Sequence, residues 1–199
     1  MRRDFVANVS HEIRTPLTVV AGFVETMSNL PLSEVERKRV LALINQQTQR
    51  MQSLVGDLLT LARLEGSPRP AVDAWLPLAR LGASVEMDAH GLSAGRHRTG
   101  FDWGDDVQLA GSEAELLSAV TNLVANAIRY TPEGGQVQVS WRQRVDGAGE
   151  IEVRDTGPGI AAEHLPRLTE RFYRVDGSHS RDTGGTGLGL AIVKHVAQR

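Results

Sequence analysis

Apolar side chains recur at Phe5, Val9, Ile13, Leu17, Val20, Val24 and Met27. The steps are all three or four residues, which keeps these positions on one face of a helix. Pro16 falls inside the run and, having no N–H to give, should bend the helix. Asn29-Leu30-Pro31 should end it. Ser33 followed by Glu36 has capping-box spacing and should open a second helix. There Leu41, Ile44, Thr48, Met51, Val55, Leu58 and Ala62 alternate steps of three and four, a heptad seam that Leu54, Leu59 and Leu61 widen. Two helices cannot bury so wide a face between them. Burial alone therefore leads to the expectation that the hairpin pairs with a second copy, giving a homodimeric four-helix bundle.

Gly66-Ser67-Pro68-Arg69-Pro70 marks a seam, and the grammar changes beyond it. Residues 72–89 read as mostly helical, 98–103 as a strand, and 113–130 as a long helix opened by Ser112. Residues 136–141 and 150–154 alternate with period two, as strands do. Pro132-Glu133-Gly134-Gly135 separates helix from strand, and Asp146-Gly147 is a hairpin turn signal. The expected fold class is α+β: a helical hairpin over residues 1–66, then a two-layer α/β sandwich over residues 67–199.

Composition narrows the field. Hydrophobic residues are 41% and charged residues 23% of 199, an ordinary globular balance. No cysteine is present, which excludes disulfides, thiolate zinc sites and Cys nucleophiles. A net charge of -2 provides no bulk field for direct nucleic-acid binding. Charge-free stretches such as residues 15–24 fall short of the ~18 apolar residues of a membrane-spanning helix. The N-terminus has no signal-peptide core, so an intracellular piece is expected. Glycine is uneven as well: Gly22 and Gly56 are alone in the first 65 residues, and the other eighteen follow.

Four constellations carry candidate chemistry. In Ser10-His11-Glu12-Ile13-Arg14-Thr15-Pro16-Leu17, His11 lies about 200° around the helix from both Val9 and Ile13, so it should face solvent. Thr15 is one turn further along that strip. An exposed imidazole beside the Glu12 carboxylate suits a nucleophile with a proton acceptor, although a plain surface His–Glu pair has the same spacing. Asn122, Asn126 and Arg129 share a face of the long helix; two carboxamides can help hold Mg²⁺ and a guanidinium can meet phosphate, or the three form an ordinary polar stripe. Asp155-Thr156-Gly157-Pro158-Gly159 follows a strand and suits recognition of an exocyclic amine, or is a turn. Asp182-Thr183-Gly184-Gly185-Thr186-Gly187-Leu188-Gly189-Leu190 leads into an apolar helix, where free backbone N–H groups can cradle phosphate. Residues 170–185 read as a functional or disordered loop whose aromatic pair, Phe172 and Tyr173, could anchor it. His90, His97, His164, His179 and His195 form no ligand cluster and read as incidental.

The order of these segments resembles that of the sensor histidine kinases. Ser10–Leu17 resembles their H box, Asn122–Tyr130 their N box, Asp155–Gly159 their G1 box, Glu170–Arg174 their F box and Gly185–Leu190 their G2 box. Residues 1–27 and 160–195 are similar to the phosphate-regulon branch of that family. The resemblance implies that His11 is phosphorylated by ATP, with Glu12 its general base and Thr15 positioning water for dephosphorylation of the partner. It implies Mg²⁺ on Asn126 assisted by Asn122, with Arg129 and Tyr130 along the phosphates. Asp155 would read adenine in a pocket shaped by Gly157 and Gly159. Arg174 would reach the γ-phosphate, and Gly185, Thr186, Gly187, Leu188 and Gly189 would form the phosphate loop. Arg129 stands where the family commonly has Lys, which keeps the charge and changes the hydrogen-bond geometry. The implied partner is a response-regulator receiver domain of the PhoB type.

The family continues beyond the last helix into further strands and carries sensor and membrane segments upstream, so the chain is expected to be a C-terminally truncated, cytoplasmic fragment of an inner-membrane-anchored bacterial protein. The competing readings are a non-catalytic dimerisation and regulator-docking module, a phosphatase-dominant form, and an ATPase of the gyrase and heat-shock chaperone kind.

Overall fold

The computed structural model describes residues 2–71, 74–175 and 185–199. Residues 72–73 of the expected helix, His179, most of the 170–185 loop, and Asp182, Thr183 and Gly184 of the glycine-rich run lie outside them. The chain forms two compact units: Met1–Ala62 with Arg171–Leu188, and Arg63–Glu170 with Gly189–Arg199.

The first unit is built on two long helices, α1 (Arg2–Asn29) and α2 (Glu34–Gly66). Helix α1 runs unbroken across Pro16, whose ring is fully buried, and stops at Asn29 where Leu30-Pro31 follows. The capping box forms as expected. The Ser33 N–H donates to Glu36 Oε2 at 2.9 Å, and the Glu36 N–H donates to Ser33 Oγ at 3.3 Å. The Ser33 hydroxyl also donates to Glu36 Oε2 at 2.6 Å. These bonds, the hydroxyl first, hold the Glu36 carboxyl below its ordinary value. A carboxyl depressed by folding stabilises above its unfolded pKa, about 4.3, and loses that contribution as pH falls through the folded value. Glu36→Gln should therefore flatten the loss of helical circular dichroism between pH 7 and pH 3 relative to wild type; coincident curves would assign the acid response elsewhere.

Within the single chain α2 buries Leu54, Leu61 and Leu64, while Leu41, Val55 and Leu59 are about half exposed, as are Leu17 and Val24 of α1. One hairpin thus covers one side of each helix and leaves a second apolar strip uncovered.

The second unit departs from expectation at its start. In place of helix at residues 75–77, β1 (Trp75–Pro77) comes first, and α3 (Leu78–Ser93) begins only after Pro77. Proline is favoured at a helix entrance, and Pro77 occupies the N-cap position. The partner of β1 is β3 (Gln108–Ala110), antiparallel, with Leu76 opposite Leu109. The main sheet has the order β2 (Arg98–Asp102), β4 (Gln136–Gln143), β5 (Gly149–Asp155). Strands β2 and β4 run parallel and are joined through α4 (Glu113–Tyr130), which starts after Ser112 as expected. Strands β4 and β5 form the expected antiparallel hairpin, with Arg142 and Glu150 paired across it at 2.5 Å.

Alternation on β4 turns Val137 and Val139 inward and leaves Gln136 and Gln138 exposed. The inward face meets Leu78, Leu81, Val85 and Ala89 of α3 and Val120, Val124 and Ile128 of α4 in one core. Helix α5 (Gly189–Ala197) packs on α4. Arg199 fastens the last turn of α2 and the segment that follows it. Its guanidinium donates to the carbonyls of Leu64, Ser67 and Pro68 and pairs with Glu115 at 3.0 Å. No described helix is long and apolar enough to cross a membrane.

Candidate functional site

On the hairpin, His11 and Thr15 are exposed as their spacing required, and Glu12 is partly covered. The Thr15 hydroxyl donates to the His11 carbonyl at 3.1 Å, a back-bond that fixes its rotamer along the same strip. Glu12 has a partner that spacing could not reveal. Arg50 of α2 donates to Glu12 Oε2 at 3.1 Å, with both side chains largely shielded from water. The pair spans 38 positions and becomes visible only once α2 lies on α1. It fixes the carboxylate of the residue that follows His11.

The second unit gathers another set. Asn122 and Asn126 lie on one face of α4, and Arg129 donates to Asn126 Oδ1 at 3.4 Å. Asn122 Nδ2 is occupied by the Ser118 carbonyl at 2.8 Å, which turns Oδ1 toward the start of α5. A Cβ placed on Gly189 would lie 2.3 Å from that oxygen. Only glycine lets the first turn of α5 and its N–H groups come this close to the carboxamide.

Asp155 ends β5, and its Oδ1 accepts the Gly157 N–H at 2.7 Å. Gly157 itself is wedged: a Cβ would meet Asp155 Oδ1 at 2.7 Å and the Tyr130 carbonyl at 3.0 Å. The turn after β5 is therefore pressed against the end of α4. This unit brings together Asn122, Asn126, Arg129, Tyr130, Asp155, Gly157 and Gly189; Gly159 follows with φ +73.

Among the described residues no group of three or more His, Asp or Glu could hold a metal ion. The amide oxygens of Asn122 and Asn126 are neutral, hard donors, which fits a cation whose other ligands come from phosphate. These residues are compatible with Mg²⁺ delivered together with phosphate ligands.

The remaining expected site residues, Arg174 and Gly185–Leu188, belong to the hairpin's unit. There the Phe172 N–H donates to the Gly187 carbonyl at 2.8 Å. The Thr186 hydroxyl donates to Asp57 Oδ2 of α2 at 2.6 Å and accepts the Leu188 N–H at 3.2 Å. Phe172 packs against Phe5 with centroids 5.9 Å apart, and the Arg171 guanidinium lies 5.2 Å over the Phe5 ring. The expected anchoring aromatic is thus Phe172. Asp57, like Arg50, carried no signal in its local sequence.

A helical hairpin with an exposed imidazole, in the same chain as a carboxamide, carboxylate and glycine cluster of this kind, points to a class, and comparison with known proteins agrees. Residues 1–67 match the His Kinase A (phospho-acceptor) domain, and residues 111–199 match the histidine kinase-, DNA gyrase B- and HSP90-like ATPase family. The chain belongs to the sensor histidine kinases. It is 54% identical over its full length to the phosphate regulon sensor protein PhoR of Pseudomonas aeruginosa, covering 45% of that protein. It is 37% identical to the protein of the same name from Haemophilus influenzae, over 98% of this chain and 45% of that one. Among solved structures, the Acinetobacter baumannii histidine kinase AdeS aligns with a TM-score of 0.68 and 25% identity, over 94% of this chain and 85% of that one. The chain spans about half the length of the curated relatives it matches.

Proposed function

We propose that this chain is the phosphotransfer and ATP-binding portion of a phosphate-regulon sensor kinase. The observation that carries the reading is the exposed imidazole of His11, followed in sequence by Glu12, whose carboxylate is held by Arg50. In the reaction, a ring nitrogen of His11 attacks the γ-phosphorus of ATP. An N–P bond forms, the bond to the bridging oxygen of ADP breaks, and Glu12 takes the ring proton. Asn126, assisted by Asn122, would hold Mg²⁺, which when bound neutralises phosphate charge. Arg129 and Tyr130 lie along the phosphates, Asp155 accepts from the adenine amine, and Gly157 and Gly159 shape its pocket. Arg174 and residues 185–189 complete the phosphate contacts.

The phosphoramidate then passes its phosphoryl group to an aspartate of a receiver domain, of the PhoB type given the relatives. With Thr15 positioning water, the same protein removes it again. The uncovered strip of Leu17, Val24, Leu41, Val55 and Leu59 supports a homodimer. The domain assignment under this reading is residues 1–66 for phosphotransfer and 67–199 for nucleotide binding. The whole protein would be membrane-anchored with this part in the cytoplasm.

Incubation of the chain with γ-labelled ATP and Mg²⁺ tests the reading. Label bound to protein, lost in acid and kept in base, is the expected result. Free phosphate without labelled protein would make it an ATPase, and absence of nucleotide binding would leave a docking module.

A further inference from the structure

His97 lies outside every motif above, and its local sequence gave no reason to single it out. In the structure it is half-buried just before β2, between the end of α3 and the end of α4. Its Nε2 is 3.0 Å from the Thr131 carbonyl. A carbonyl can only accept, so Nε2 carries the proton and donates. Its Nδ1 is 3.2 Å from the hydroxyl of Ser93, a residue 2% exposed. That hydroxyl oxygen already accepts the His97 N–H at 3.1 Å, so its own proton is available for Nδ1. A neutral ring in one tautomer satisfies all three bonds.

The main chain reinforces the crossing. The Gly134 N–H donates to the Arg96 carbonyl at 2.7 Å, and the Arg98 N–H to the Gly135 carbonyl at 2.9 Å. Thr131 follows Tyr130 directly, and its own hydroxyl is buried with no hydrogen-bond partner among the described residues. Side-chain anchoring of this corner through Thr131 therefore runs through His97 and the Thr131 carbonyl. From there the contacts continue. The Tyr130 carbonyl abuts Gly157, and the Gly157 N–H is bonded to Asp155.

We infer that His97 is a positioning residue for nucleotide binding: it fixes the end of α4, and through it the placement of Tyr130 and of the turn carrying Asp155. The inference rests on the kinase reading above. A residue acting this way changes how well the pocket is preformed for ATP, not the phosphoryl transfer itself.

The test is the ATP dependence of autophosphorylation in the 199-residue chain. His97→Leu should raise KM for ATP about tenfold, the usual scale for one buried hydrogen-bond partner lost, with kcat within about twofold. His97→Gln, which keeps a donor for the Thr131 carbonyl, should return KM to within about threefold of wild type. A merely structural role would reduce the active fraction and so kcat, with KM unmoved, and that result overturns the inference. So does a Gln variant no better than Leu. Should the Leu variant fail to fold, Ser93→Ala decides, since it removes both bonds by which Ser93 orients His97, to Nδ1 and to the main-chain N–H, and leaves the ring intact: a raised KM supports the inference and an unchanged one refutes it. If the wild-type chain binds no ATP, the kinase reading falls and takes this inference with it; variants with unchanged KM in a chain that does bind ATP refute the inference alone.

Discussion

His11→Ala is expected to abolish incorporation of label from γ-labelled ATP while leaving nucleotide affinity within about twofold, because it removes the only atom proposed to bond phosphorus. The ring is exposed, and truncation of an exposed side chain in a helix interior leaves stability within about 0.5 kcal/mol. The two readouts therefore separate cleanly. A variant still labelled at the wild-type rate would move the acceptor to another residue. A variant that is unlabelled and also unable to bind nucleotide would show that the side chain does more than accept phosphoryl. Glu12→Gln should fall between the two outcomes. The Arg50 contact can survive on the amide oxygen, but no base remains, so a loss of about 10²–10⁴-fold in rate is expected with binding unchanged.

The second large effect is expected at Gly187. Its φ is +71, and a Cβ would lie 2.9 Å from the Phe172 Cα and 3.0 Å from its carbonyl carbon. Phe172 is itself held at φ +64, unusual for a residue with a side chain, so the two loops are fitted to each other at main-chain level. Gly187→Ala thus meets both a backbone conformation and a backbone neighbour that cannot give way, at a cost of about 1–3 kcal/mol. Relief requires breaking the bond from the Phe172 N–H to the Gly187 carbonyl, which in turn frees Thr186 from Asp57. A loss of ATP binding of at least about tenfold is expected, measured by displacement of a fluorescent nucleotide. Wild-type affinity in this variant would remove the 185–188 segment from the site.

Much of the fold was legible because periodicity is a strong signal over long elements. The runs through Ile13 and Ile44, the cap at Ser33, the start of α4 after Ser112 and the alternation through Val137 and Val139 all appear where the pattern put them. The two strands β1 and β3 did not, since three residues such as Trp75-Leu76-Pro77 are too few to show a period and pair only with a distant segment. The burial of Leu54 rather than Val55 in the single chain was not legible for another reason. Leu54 and Val55 are neighbours on a face apolar on both flanks, and the spacing within α2 does not choose between them.

The site divides in the same way. The exposure of His11 followed from its angle to Val9 and Ile13. The carboxamide and carboxylate groups were visible as residue types, and their roles came only with the resemblance. Arg50 and Asp57 were invisible, because each acts on a residue remote in sequence and neither position has a local pattern.

The pairing of β2 with β4 in parallel, with α4 crossing between them and α5 laid on α4 afterwards, orders events on the ribosome. The hairpin of α1 and α2 can form as soon as it emerges. The apolar flank of α4 must wait for α5, about sixty residues later, which at a synthesis rate of roughly 5–20 residues per second is an interval of several seconds. During that interval the nascent chain presents a sticky, half-covered helix, and chaperone engagement should be concentrated there and released once Ala191 and Ile192 have been translated.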